Sequence, residues 1–109
     1  MSEKDDIDRV MSSYYGNDSV TAIVQLKVDT KEADSIAVSV AKYDAIFDVF
    51  MVTGDADILV KAKFRNYGDV KKFLVDTLGS IQGVKETKTM MVVTAFKENG
   101  KLEDLGITR

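Results

Sequence analysis

Val49-Phe50-Met51-Val52-Thr53-Gly54-Asp55-Ala56-Asp57-Ile58-Leu59-Val60-Lys61 sets two apolar runs on either side of a short polar segment. Gly54-Asp55 at its centre predicts a β-hairpin, because glycine reaches the backbone angles of a tight turn and aspartate bonds to nearby amides. The first run reaches back to Ala45 and predicts a strand over 45–53, apolar on both faces and therefore expected to be buried on both. The second predicts a strand over 57–65, along which Lys61, Lys63 and Arg65 alternate.

On either side of the hairpin lies a helix, and beyond each helix a further strand. Asp29 or Thr30 caps the first helix, Glu32 takes the capping-box position, and Ala33, Ile36, Ala37, Val40 and Ala41 form its apolar stripe. Asn66 with Asp69 opens the second, with Val70, Phe73, Leu74, Thr77, Leu78 and Ile81 on its face and Gly79 or Gly83 at its end. The outer strands are 20–28 and a long 84–97. In the first, Val20, Ala22, Val24, Leu26 and Val28 alternate with Gln25 and Lys27 on the other face.

Two strand–helix–strand units joined by a hairpin make an α+β, ferredoxin-like βαββαβ sandwich, with both helices on one face of a four-stranded antiparallel sheet. The other face is expected to show Leu59, Met91 and Val93, too much apolar surface for a lone monomer, so the minimal unit is a dimer. The chain divides into an acidic segment over 1–19, the domain over 20–97, and a tail over 98–109. In the first, Ile7, Val10, Met11, Tyr14 and Tyr15 are spaced for a short helix. The tail opens on the Glu98-Asn99-Gly100 turn and continues with Leu102, Leu105 and Ile107.

A hydrophobic fraction of 45% in 109 residues supports one folded domain. The chain has neither cysteine nor histidine, which excludes disulfides, thiol catalysis, thiolate zinc sites and histidine-based triads. No run approaches the roughly 20 apolar residues of a membrane span, and the acidic start is no signal peptide, so a cytoplasmic protein is expected. Residues 1 to 18 carry the whole net charge of −3, leaving 13 acidic and 13 basic residues in the rest. A neutral body lacks the basic face from which nucleic-acid recognition begins.

No metal-ligand spacing, phosphate loop or nucleophile–base pair is present, so no metal, cofactor or enzymatic turnover is expected. Asp55 and Asp57 admit two readings, a grip on a cation or ligand ammonium group, or simple turn chemistry. Thr87 and Thr89 either line a polar pocket or serve as ordinary strand formers.

The order of these features resembles the Lrp/AsnC family, the feast/famine regulators. Val49 to Lys61 resembles the family's central signature, and Ser80-Ile81-Gln82-Gly83-Val84-Lys85-Glu86-Thr87-Lys88-Thr89 its approach to the last strand. The likeness spans roughly residues 20 to 97, the effector-binding half known as the RAM domain; Gln82 departs from it, since the family commonly has proline there. The resemblance implies a small-molecule site between subunits, commonly for amino acids. Residue by residue it points to Thr53, Gly54, Asp55 and Asp57, with Thr87 and Thr89 from the last strand. Asp57, at the start of its strand, is the first choice for pairing with an α-ammonium group. The resemblance also implies dimers that assemble further, the octamer being usual. Full-length members carry a helix-turn-helix domain, which the acidic segment of 19 residues ahead of the first strand cannot build. The expectation is therefore a stand-alone effector-binding and oligomerisation module that regulates through protein partners, such as full-length relatives, and not by binding DNA itself. The competing reading is a structural co-assembly module with a vestigial pocket.

Overall fold

The computed structural model describes residues 19–103. The helix expected within residues 7–15, and Leu105 and Ile107, lie outside them. β1 (Val20–Val28) leads through a 3₁₀ turn (Thr30–Glu32) into α1 (Ala33–Ala41), then β2 (Ile46–Met51) and β3 (Ile58–Phe64). α2 (Tyr67–Lys72) continues through a π-helical turn (Phe73–Thr77) and a 3₁₀ turn (Leu78–Ser80) before β4 (Val84–Met91) and a small hairpin of β5 (Lys97–Glu98) and β6 (Lys101–Leu102). The main sheet runs β2-β3-β1-β4, antiparallel throughout. This is the ferredoxin-like α+β arrangement expected from the pattern.

β1 is the axis of the fold because it is the strand with period-two apolarity from end to end. Val20, Ala22, Val24, Leu26 and Val28 all point to the helix side and are buried. They meet Ile58 and Val60 of β3, Ala33, Ile36 and Val40 of α1, and Val70, Phe73 and Leu78 of the second helical segment. Each fully buried Val, Leu or Ile contributes about 1.5–3 kcal/mol, which makes this cluster the main source of stability. Phe73 also packs edge-on to Tyr43 at 5.7 Å and tilted to Phe64 at 5.3 Å.

Several expectations need correction. β2 is an edge strand, not one buried on both faces: Phe47 and Phe50 are 60% and 54% exposed. β4 stops at Met91 because β1, its one partner, starts at Val20, and the last register pair is Ala22 with Met91. The same pairing puts Met91 on the helix side, so Met90 takes the place expected for it on the open face. The second helix is not uniform; its π turn lets Phe73 and Leu78, five positions apart, both reach the core. The capping box does not form. Asp29 caps the first turn by accepting from the Lys31 N–H at 3.1 Å, but its own N–H goes to the Gly83 carbonyl at 2.9 Å, leaving nothing for Glu32 to receive.

Candidate functional site

The hairpin closes where the Val52 N–H donates to the Asp57 carbonyl, at 2.9 Å. Gly54 lies at φ +131°, a conformation that side chains resist, and a Cβ built there would meet nothing within 4 Å. The backbone at the turn tip is therefore approachable from outside. Thr53 and Asp55 are exposed beside it.

Asp57 is anchored to β1 by two hydrogen bonds. Its N–H donates to the Leu26 carbonyl at 2.9 Å, and its carboxylate Oδ2 accepts from the Val28 N–H, also at 2.9 Å. β3 begins at Ile58, opposite Leu26, so the end of β1 has run past the strand that would have paired it. The Asp57 side chain satisfies the leftover amide, as a part-buried donor requires.

The turn overlooks a cleft of about 250 Å³ on the side of the sheet that carries no helix. Its lining is Asp55 and Ala56 from the turn, Gln25 and Lys27 from β1, and Glu86 and Lys88 from β4. Register explains the grouping: Gln25 stands opposite Lys88 and Lys27 opposite Glu86, all on the open face. Thr87 and Thr89 stand opposite Leu26 and Val24, which point to the helices, so they lie on the other face of β4. Of the residues singled out from the sequence, Asp55 lines the cleft, Thr53 and Gly54 stand at its turn, and Asp57 braces it; Thr87 and Thr89 are on the reverse side. Gln25, Lys27, Glu86 and Lys88 were missed, although the alternation that put Gln25 and Lys27 opposite the apolar face of β1 was the signal that could have found them.

The cleft holds two ammonium groups, two carboxylates and one amide. Among the described residues, the ion pairs within 4 Å are those of Glu98 with Lys61 (2.6 Å) and Lys63 (3.6 Å). None of the four charged groups of the cleft is paired in this way. Glu98 instead ties the β5–β6 hairpin across the open face, and the hydrogen bond from Lys61 holds its carboxyl below the usual carboxylate range. Lys63 also lies over the Phe47 ring, at 5.1 Å from its centroid. Among the described residues no cluster of three or more acidic side chains could hold a metal ion, and no helix is long and apolar enough to cross a membrane.

A helix-backed sheet with a charge-balanced cleft at its central hairpin has the form of an α+β ligand-binding domain. The chain belongs to the Lrp/AsnC family, since its residues 21–102 match the Lrp/AsnC ligand binding domain. This is a regulatory, non-enzymatic family. The chain is 38% identical over 84 residues to the HTH-type transcriptional regulator FL11 of Pyrococcus horikoshii, a match covering 77% of this chain and 55% of that protein. It thus spans about half the length of the curated relatives it matches. Among solved structures, the fold is similar to a transcriptional regulator of Neisseria meningitidis in complex with L-Met (TM-score 0.70, 23% identity, 97% of this chain and 64% of that one). It is also similar to FFRP-DM1 (TM-score 0.66, 18% identity, 68% of this chain and 99% of that one).

Proposed function

We propose that this chain is an amino-acid-responsive assembly module, in which the Gly54 turn and its cleft hold the effector where copies of the chain meet. The observation that carries the reading is a set of opposite charges beside an accessible turn, none of them in an ion pair among the described residues. A free amino acid presents a carboxylate and an ammonium group a few ångströms apart, and Lys27 or Lys88 with Asp55 or Glu86 complements both. The Neisseria regulator, solved with L-Met, is a fold relative that binds such a molecule.

Asp55 takes the role of ammonium acceptor, while Asp57 positions the turn. Thr53 and the Gly54 backbone flank the ligand; Thr87 and Thr89 serve only a ligand or second copy that approaches β4 from its reverse side. The exposed Phe47, Phe50 and Met90 supply the apolar surface of a dimer. Dimers then associate further, to an octamer or a similar ring. Output passes to protein partners such as full-length family members. A specific DNA footprint by this 109-residue chain, with its net charge of −3, is not expected.

The structural co-assembly reading draws support from Asp57, whose carboxylate is spent on the Val28 amide. Thermal-shift measurements with the twenty amino acids, with light scattering alongside, separate the two. An effector raises the melting temperature and shifts the assembly, and Asp55→Asn weakens both effects. A flat response to every amino acid leaves the co-assembly module.

A further inference from the structure

We infer that the cleft selects an amino acid whose side chain is itself polar, carrying an amide, carboxylate or cationic group, and discriminates against aliphatic and thioether side chains. This rests on the reading of the cleft as the effector site. An α-amino acid's own carboxylate and ammonium group need one lysine and one acid. The lining then still holds a second lysine, a second acid and the Gln25 amide. The single apolar side chain in that lining is Ala56. The larger apolar groups of the open face do not line this cleft: Phe50 and Leu59 form a register pair between β2 and β3, and Met90 lies opposite Ile23, further along β1.

An aliphatic side chain placed here would strip water from ammonium and carboxylate groups and return no hydrogen bond, which is a net cost. An amide or charged side chain of the same size replaces the lost water contacts. Gln25 can pair with an amide through both its donor and its acceptor, and the second lysine or acid can meet a charged terminus. Lys27 with Glu86, and Lys88 with Gln25, are cross-strand neighbours, and among the described residues no ion pair within 4 Å engages the lysines or Glu86. This chain supplies only its own share of a site that lies between copies, so the expected preference is about tenfold, equal to about 1.4 kcal/mol.

Near-isosteric pairs test this directly. Calorimetry on the whole chain compares asparagine with leucine, and glutamine and glutamate with methionine, with lysine and arginine added for the cationic class. The expected result is that a polar member binds at least about tenfold more tightly than its apolar isostere, and that Lys88→Met or Glu86→Gln narrows the gap. Both side chains are exposed on β4, and a melting curve for each variant confirms that the fold is intact. If leucine or methionine binds as tightly as its polar isostere, the selectivity is overturned while the effector-binding role stands. If a polar preference survives both variants unchanged, the cleft is not its source and the inference fails. If no amino acid binds at all, the functional reading itself has failed, a distinct outcome from a wrong selectivity.

Discussion

The two faces of the sheet are made by the same strands and obey opposite rules. On the helix side, β1 presents Val20, Ala22, Val24, Leu26 and Val28 without one polar interruption, and every one of them is buried. One position over, the same strand presents Thr21, Ile23, Gln25 and Lys27, which are partly or fully exposed. The covered face is closed by its own helices and needs nothing further. The open face mixes aromatic groups with ammonium and carboxylate groups. Its aromatics Phe47 and Phe50 lie on β2, and the charges that form no ion pair among the described residues gather at the other edge, on β4 and the adjoining end of β1. The buried core and the display of charge are thus separated by a single step in strand alternation.

The two faces differ most at Leu26. Truncating it to alanine removes the centre of the covered face and is expected to cost about 2–5 kcal/mol in denaturant unfolding, while Phe50→Ser on the open face changes the stability of dilute protein by less than about 0.5 kcal/mol and acts on association. Equal losses from the two would mean that the open face belongs to the folding core.

Asp57→Ala acts at the rim, where the faces meet. It leaves the Val28 amide unpaired and is expected to cost about 1–3 kcal/mol in the same measurement. If Asp57→Asn lowers stability but leaves effector affinity unchanged, the carboxylate is a brace and no part of the ligand's grip; a loss of more than about tenfold in affinity would return it to the site.

A smaller, opposite effect is expected from Gln82→Pro in the turn ahead of β4. Val84 N–H closes on the Ile81 carbonyl at 3.4 Å and Gly83 sits at φ +98°, the pattern of a type II turn with Gln82 at its second position. Ile81 already has the extended backbone that a following proline demands, at φ −77° and ψ 122°. A gain of about 0.4–1 kcal/mol, read as a raised melting temperature, is expected.

The smallest effect belongs to the tie across the open face. Lys61 and then Lys63 keep Glu98 ionised below its ordinary range, so the folded carboxyl has the lower pKa. Its contribution is present above the unfolded value and disappears as pH falls through the folded one. As a partly exposed pair it is worth at most about 1 kcal/mol. Melting curves of Glu98→Gln and the parent protein should differ slightly near neutrality and converge in acid; a constant offset would count against the tie.

Legibility followed the same division. β1 was readable to the residue, because unbroken alternation and a buried face are one physical fact. β2 misled because an apolar strand looks alike whether helices or another copy of the chain cover it. The end of β4 was invisible locally: Val92 and Val93 are good strand formers, and only the length of β1 decides where pairing stops. The π turn escaped notice because Leu74 and Thr77 would satisfy a regular helix equally well. At the cleft, glycine and aspartate mark the turn in the sequence, while Glu86 and Lys88 in its lining are one position away from the hydroxyls of Thr87 and Thr89 on the other face of β4. Which face of β4 meets the turn depends on its register with β1, and register is set by pairing, not by composition.

The brace at Asp57 also fixes how far a disturbance at the turn can travel. Its carboxylate holds the amide of Val28, the next residue's amide holds the Gly83 carbonyl, and that same residue, Asp29, caps the helical turn leading into α1. Three segments distant in sequence, the hairpin, residues 28–31 and the turn before β4, are thus threaded on one line of hydrogen bonds. Any displacement of the hairpin tip therefore pulls on a single cord, whose far ends are the start of β4 and the foot of the first helix.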